Sequence, residues 1–407
     1  MTKRTHYKQS NLDKFMKIVN ASFFYNQSLK RENEVLEQQY TVTGWAEALA
    51  RKGAEVMVLN RFYKNGYLSE NNIVYQFYND KSGGRLRAWQ IPFGYFKLIR
   101  KQKADIIHLH HLSLPLHTLI LRLLISKKTA IVVQHHGGKL PGKIKRMIYN
   151  FFTRTADGFF FTTTEQGDQW FLKERYKKVF PVMEGATFFN YSNRNNLAVD
   201  VIGKSMARNQ TRMSGNPVFL WVGRLDENKD PLTVLDGFQI ILQKYPDANL
   251  YMIFNQGNLE NEVRDKIESN SDLKMHAHLL GEIAHQQIEW YYRSADYFLL
   301  GSHYEGSGYA LSEALKCGCI PIVTDIPSFR MMTNNASLGA IWGPGNKESL
   351  IKAIEKALNK DPEAEAKACS DFFESYLSFD AIATTAIQHY ETILNRRRRK
   401  FYAELND

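Results

Sequence analysis

The strongest constraint on this chain is an alternation that runs through it twice: short β-branched runs separated by stretches of helical period. "FMKIVNASFF", "AEVMVLNRF", "ADIIHLHH" and "TAIVVQHH" read as strands of a first series, and "QYTVTGWAEALARKG" as one of its helices, with Gly53 placed to end it. From Asn216 the pattern begins again. Strands "PVFLWVG", "NLYMIFN", "MHAHLLG", "DYFLLGS" and "CIPIVTD" alternate with helices "DPLTVLDGFQIILQKYP", "LENEVRDKIESN", "AHQQIEWYYRSA" and "GYALSEALKCG". Such repeats predict an α/β chain of parallel sheets with helices on both faces. The polar, weakly periodic stretch from Tyr191 to Gly215 is the expected domain junction. Ligands of open parallel sheets bind beyond the carboxyl ends of the strands, so two facing sheets would enclose a cleft at this junction.

At 407 residues and 44% apolar content the chain exceeds one ordinary domain. Its formal net charge of +11 suits an anionic partner: a phosphorylated substrate, an anionic lipid surface or nucleic acid. Nucleic acid is set aside, since no zinc-finger, RNP-like or aromatic-interleaved basic stretch is present. Cys317, Cys319 and Cys369 are an odd number, and the first two lie too close for an ordinary disulfide or zinc knuckle. They read as reduced, small apolar residues of a cytoplasmic protein. The basic N-terminus lacks the following apolar block of an export signal, and the most apolar stretch, Leu109 to Ile125, carries His110, His111, Pro115, His117 and Arg122, which excludes a spanning helix. Any membrane association is expected to be peripheral, on the inner face.

"YEGSGYALSEALKCGCIPIVTD" sets Glu305 and Glu313 eight positions apart across a small, Gly/Ser-rich turn. Ser307 is the candidate N-cap of a short helix from Gly308 to Lys316 that Gly318 ends. Glu305 then sits on the loop at the cleft, Glu313 on the helix facing back toward it, and the free N–H groups from Ser307 to Leu311 form an anion site. That arrangement suits a diphosphate flanked by a sugar and a ribose. "VGRLDENKD" follows a buried-type strand with Gly223 and then offers Arg224 and Lys229, a pair able to neutralise a leaving diphosphate without a metal. Taken singly, each stretch also reads as ordinary solvated charge. His108, His110 and His111 suggest zinc by their alternation, but no Cys or acidic partner stands at ligand spacing, so no metal is expected.

In this order and spacing, "GRLDENK" and "EGSGYALSEA" resemble the retaining glycosyltransferases of family 4, whose pattern joins a Gly-Arg-Leu turn and a lysine five residues after the arginine to a later Glu-x7-Glu motif. "ADIIHLHH", "TADGFFFTTTEQGDQWF" and "HLLGEIAHQQIEWYYRSADYFLLGSHYEG" extend the likeness over most of the chain. The resemblance implies a GT-B fold of two facing Rossmann-like domains. Residues 1–200 would form the acceptor side and 201–378 the donor domain, with 379–407 a terminal helix and basic tail packing back toward the N-terminal domain. It implies that Arg224 and Lys229 hold the donor phosphates, that Glu313 binds the ribose, and that Glu305 lies beside the transferred sugar. Gly223, Gly306, Ser307, Gly308, Tyr309, Ala310 and Leu311 would complete the donor site. In "VVQHHGGK", His136 matches the family's histidine at the sugar-side edge of the cleft, with His135 the alternative if the register differs by one. Two departures stand out: no glycine precedes Gly44 in the loop after the first strand, and "FNQGN" replaces a Gly-Asp-Gly type turn, keeping only Gly257.

The implied reaction is metal-independent, cofactor-free transfer of a sugar, with retention, from a nucleotide diphospho-sugar to a hydroxyl of a glycan or lipid-linked acceptor in cell-envelope or surface polysaccharide synthesis. Stabilisation would come from Arg224, Lys229 and the helix amides, with Glu305 and His136 at the reacting sugar. The alternative is a GT-B-like protein that binds a sugar nucleotide and hydrolyses or epimerises it, or binds without transfer. The basic blocks Lys139 to Arg146 and Arg396 to Lys400, the latter after a helix from Phe379 to Leu394, read either as solvated charge or as patches for an anionic leaflet.

Overall fold

A computed structural model of the chain describes residues 15–25, 27–110, 112–171, 177–184 and 203–406. The first sheet contains β1 (Lys17–Ser22), β2 (Glu55–Arg61), β3 (Gly66–Glu70), β4 (Ile73–Tyr78), β5 (Ile106–His110), β6 (Ala130–Gln134), β7 (Gly158–Phe161) and β8 (Val179–Pro181). Its helices are α1 (Glu32–Gln38), α2 (Tyr40–Arg51), α3 (Phe93–Lys101), α4 (Pro115–Leu124), α5 (Lys143–Thr153) and α6 (Thr164–Trp170). The second region begins with α7 (Lys204–Thr211), β9 (Val218–Val222), α8 (Pro231–Leu242), β10 (Asn249–Ile253), α9 (Glu260–Glu268), α10 (Ser271–His276) and β11 (Ala277–Gly281). It continues through α11 (Ile288–Ser294), β12 (Tyr297–Leu300), α12 (Tyr309–Lys316), β13 (Ile320–Thr324), α13 (Pro327–Met332), β14 (Ala340–Trp342), α14 (Lys347–Leu358) and α15 (Pro362–Phe372), and ends in α16 (Phe379–Asn406).

The strand order is β3-β4-β2-β1-β5-β6-β7-β8 in the first sheet and β11-β10-β9-β12-β13-β14 in the second. In each sheet the chain builds outward in one direction and then returns to the other side of its first strand. The order therefore reverses between β1 and β5, and again between β9 and β12. Loops leaving those strand ends diverge and open a crevice, the usual ligand position in such sheets. Helices cover both faces, so central strands such as β5, β6 and β13 are buried along their whole length.

The edge of the first sheet and the domain junction depart from the sequence expectation. β3 runs antiparallel to β4, with Ser69 opposite Val74, so the first sheet is not parallel throughout. Asn71 and Asn72 make the connection at φ 51° and 62°, the left-handed conformation that a two-residue hairpin demands and asparagine tolerates. Within the expected junction, residues 191–202 lie outside the described residues, but 204–211 form α7. This helix buries Ala207 against the second region and is tied down by Lys204 and Arg208, which both pair with Asp296.

α16 does not stop at Leu394; it continues to Asn406, and the basic block lies within it. Ile382, Ala383, Ala386, Tyr390, Ile393 and Leu394 recur at helical spacing and are buried, where the helix crosses onto the first sheet's domain. Gly158 makes room for it, since a Cβ there would lie 2.4 Å from Ile393 Cδ1. The arginines then act as fasteners. Arg396 donates to the Lys177 carbonyl at 2.9 Å, Arg397 to the Lys127 carbonyl at 2.6 Å and Arg398 to Asp105 at 3.1 Å. Reading the run as simply solvated is thereby corrected: three of its five cations are bound to the protein itself.

Candidate active site

Loops from the carboxyl ends of both sheets meet. Gly137, after β6, lies against Gly306, after β12, so closely that a Cβ on Gly137 would fall 2.8 Å from the Gly306 Cα and nitrogen. Gln166 on α6 donates to the Glu305 carbonyl at 2.9 Å, and the Glu184 N–H, beyond β8, donates to Ser307 Oγ at 3.2 Å. The expected cleft is thus assembled from named contacts.

On the donor side, the loop after β9 and the loop after β12 are laced together at the strand reversal. Asn228 donates to the Tyr304 carbonyl at 3.2 Å and accepts from its N–H at 3.1 Å. Asp230, at φ 45°, caps α8 by accepting from the Thr233 N–H, while its other oxygen meets His303 Nε2 at 3.2 Å. This lacing holds Lys229 opposite Glu305, and their ammonium and carboxylate form a mostly buried ion pair. Gly223 permits it: a Cβ there would press on Trp221 at 3.1 Å and on the Lys229 stem at 3.3 Å. Arg224, by contrast, is 58% exposed and paired with Asp226 at 2.8 Å, at the rim rather than inside. Gly257, in the altered "FNQGN" turn, admits no other residue, because a Cβ would lie 2.0 Å from the Leu225 carbonyl oxygen.

α12 starts one residue later than expected. Its N-cap is Gly308, at φ 71°, and Ser307 does not cap it, since the Ser307 hydroxyl is engaged across the cleft by Glu184. Tyr309, Ala310 and Leu311 supply the first-turn amides. Gly318, at φ 71°, ends the helix as expected, with the Cys319 N–H returning to the Ala314 carbonyl. Glu313 is buried and turned toward α11. Its carboxylate meets His285 Nε2 at 3.2 Å, and burial and the neighbouring Glu313 charge push the Tyr292 phenol well up. The ring of Tyr40, from the first sheet's domain, stacks on His285 at 4.9 Å. The two glutamates of the motif therefore hold separate partners, Lys229 and His285.

His135 and His136 take different surroundings. His135 is buried against Phe161 and Trp170, and burial pulls its pKa down to about 4. His136 is the residue that reaches the cleft, with Nδ1 3.0 Å from Glu184 and Nε2 3.3 Å from His110. Burial alone would raise the Glu184 carboxyl, but the facing His136 charge and hydrogen bonds from His136 and Tyr309 hold it below the ordinary range. Tyr309 donates to Glu184 at 3.0 Å, so one carboxylate joins the cleft histidine to the first turn of α12. His108 stacks on His110 and bonds the Tyr390 hydroxyl of α16; burial takes its pKa to about 3 and keeps it neutral. His111 lies outside the described residues. Among the described residues, no group of three or more His, Cys, Asp or Glu is placed to hold a metal ion.

Residues 204–371 match the family model for glycosyl transferases group 1, and residues 38–173 match that for glycosyltransferase family 4. The chain belongs to this glycosyltransferase family. Over 285 residues the glycosyltransferase is 25% identical to a GDP-mannose:cellobiosyl-diphosphopolyprenol alpha-mannosyltransferase of Xanthomonas campestris, covering 68% of this chain and 71% of that one. Over 282 residues it is 24% identical to a UDP-Gal:alpha-D-GlcNAc-diphosphoundecaprenol alpha-1,3-galactosyltransferase of Escherichia coli, covering 65% and 70%. A sucrose-phosphate synthase from Thermosynechococcus elongatus superposes with TM-score 0.68 at 17% identity, over 94% of this chain and 100% of that one, which shows the shared GT-B fold.

The structure of this glycosyltransferase brings together Lys229, Glu305, Gly306, Ser307, Gly308, Tyr309 and His136, while Glu313 is buried against His285 and Arg224 is exposed beside Asp226. Sequence reasoning missed Glu184, Gln166, His285 and Tyr40. Glu184 had one usable signal, a carboxylate just past the end of strand β8, where ligands of parallel sheets are met. Tyr40 and His285 meet only through the packing of two domains and carry no local signal.

The glycine-poor loop after β1 is rebuilt around Arg61. This buried guanidinium donates to the Phe23 carbonyl at 2.9 Å and pairs with Asp80 and Ser82. The loop residues Phe23, Phe24 and Tyr25, with Arg85, Arg87 and Trp89, line a cavity of about 740 Å³ at the β1/β5 reversal.

Proposed function

We propose that this glycosyltransferase moves a sugar from a nucleotide diphospho-sugar to a hydroxyl of a lipid-linked or glycan acceptor in polysaccharide or glycolipid synthesis, with retention and without a metal. The observation that carries the reading is Lys229, held on Glu305 at the strand reversal, beside the first turn of α12. Lys229 and those amides face the diphosphate, and Arg224 closes on it from the rim. As the anomeric C–O bond breaks, its electron pair leaves with the phosphate, where these fixed donors stabilise the developing charge. The acceptor oxygen bonds the anomeric carbon from the same face, and its proton passes to the departing phosphate oxygen. Glu305 orients the sugar, Glu313 holds the ribose, and His136, fixed by Glu184, borders the sugar. The enzyme works in the cytoplasm at the inner face of the membrane.

The relatives' names support this reading, since both pair a nucleotide-sugar donor with a diphosphate-lipid acceptor. The cavity after β1 suits such an acceptor: Arg85 and Arg87 offer guanidiniums to phosphate, and Phe24 and Trp89 offer aromatic faces to sugar. A thermal-shift panel of UDP-, GDP- and ADP-sugars tests the donor assignment. One class at a hundredfold excess over its Kd stabilises the protein by about 2.7 kcal/mol. The shift is lost in Glu313→Ala; no shift with any of the three contradicts the assignment.

A further inference from the structure

The geometry points to α5 as a membrane-contact helix that seats the protein on an anionic leaflet beside the cleft. Its purpose rests on the reading that the acceptor is lipid-borne; its evidence does not. An ordinary surface helix hides its apolar stripe, and α5 does the reverse. Ile144 is 79% exposed, Met147 63%, Ile148 47% and Phe151 52%, while Tyr149, Asn150 and Thr153 are buried against the domain. At about 100° per residue the four exposed side chains fall within an arc of about 100°. They form one continuous ridge.

The charge around the ridge is of one sign. Between Lys139 and Arg154 there are five cations and no carboxylate. By helical position Lys145 borders one side of the ridge, and Lys143 and Arg154 the other. The Lys145 ammonium lies over the Tyr149 ring and the Arg154 guanidinium over the Phe151 ring, so cations are seated on aromatic faces at the edges of the ridge. An apolar ridge between basic borders is the pattern of a helix lying in a lipid interface, its ridge among the acyl chains and its cations at the anionic headgroups. A soluble protein partner would have to match an apolar ridge and a wholly basic border together; an anionic leaflet matches both at once. The position is apt as well. The loop from Gly137 to Gly142 leads from the contact with Gly306 directly into α5, so the ridge adjoins the mouth of the cleft. Among the described residues no helix is long and apolar enough to cross a membrane, so the contact is from one side.

The test is sedimentation of the full chain with vesicles of phosphatidylcholine, alone or mixed with phosphatidylglycerol, containing neither donor nor acceptor. Wild type binds the mixed vesicles. Ile144→Ser/Met147→Ser/Phe151→Ser lowers binding roughly tenfold or more at every salt concentration, because the inserted area is gone. Lys143→Ser/Lys145→Ser lowers it at low salt and converges with wild type at high salt. Should the triple variant fold poorly, Phe151→Trp reports the same event as a blue shift on mixed vesicles beyond that of wild type, whose six Trp set the background. Equal binding by wild type and triple variant, or an unshifted Trp emission, overturns the assignment. So does a wild-type dimer in solution that the triple variant converts to monomer, for then a second copy covers the ridge. Since no transfer is measured, failure here leaves the glycosyl-transfer reading standing, and failure of that reading leaves this result intact.

Discussion

Replacing Gly137 with alanine tests whether the contact between the two domains is part of the working geometry. Gly137 adopts φ 84°, and its added Cβ would lie 2.8 Å from backbone atoms of Gly306. An ordinary van der Waals contact begins at 3.4 Å, and backbone cannot swing aside, so the two loops must part by more than half an ångström. The displaced residues are those next to Glu305 on one side and His136 on the other. Misplacement of reacting groups by about 1 Å costs on the order of a hundredfold in rate, so turnover in Gly137→Ala should fall by roughly ten- to a hundredfold. The neighbouring glycine supplies the control. Gly138 also has a positive φ, 108°, but nothing lies within 4 Å of its added Cβ. Both alanine variants therefore carry about 1–2 kcal/mol of backbone strain, measurable as a lowered unfolding free energy in denaturant. Only Gly137→Ala should lose turnover, followed as nucleotide release with saturating donor and acceptor. Equal turnover losses in the two variants would show that loop strain, and not domain approach, limits the reaction.

Lys229→Ala and Arg224→Ala should each lower turnover by about a hundredfold or more in single-turnover assays, the scale of losing one preorganised donor. Wild-type rates in either would remove its phosphate role. Glu184→Gln keeps the shape but removes the charge that faces His136, so it should lower kcat with little change in donor affinity; an unchanged kcat would separate Glu184 from the reaction. The buried histidines fix a pH dependence. His108 and His135, with pKa values of about 3 and about 4, stay neutral in the fold while the unfolded chain takes up protons below about pH 6.5. Unfolding therefore binds protons there, and stability is full above pH 6.5 and falls as pH drops, by about 1.4 kcal/mol per unit for each histidine. His117, His278 and His389, also shifted down, add to the same slope. Denaturant midpoints from pH 7 to pH 5 should show it, and His135→Phe should make it shallower; a flat profile would contradict the neutral burial. Arg397→Ser removes a largely buried guanidinium from Asp157 and the Lys127 carbonyl, and should cost about 1–3 kcal/mol of stability.

How much of this was legible in the sequence depended on whether the signal was local. β9 and α8 are continuous apolar and periodic segments whose period survives any tertiary context, and "GRLDENK" and "EGSGYALSEA" fix Lys229 and Glu305 because their spacing is carried by one sheet. Ser307 misled because serine is a good N-cap in isolation; a hydroxyl takes the better-placed donor, and here that donor comes from Glu184 across the cleft. The Arg396 to Lys400 block misled for a related reason. A run of like charges reads as solvated until carbonyls and carboxylates 200 and more positions earlier in the chain are brought beneath it. Tyr40 on His285, and Glu184 between His136 and Tyr309, exist only where two domains meet, so no window of sequence contains them.

The central claim is transfer from a nucleotide diphospho-sugar with retention at the anomeric carbon, driven by Lys229, Arg224 and the α12 amides in place of a metal. It is tested most directly by incubating the enzyme with its donor and acceptor in excess chelator and reading the anomeric configuration of the product by NMR. The account predicts undiminished turnover and a product with the donor's own anomeric configuration. An inverted product, release of free sugar alone, or activity abolished by chelator and restored by a divalent ion would contradict it.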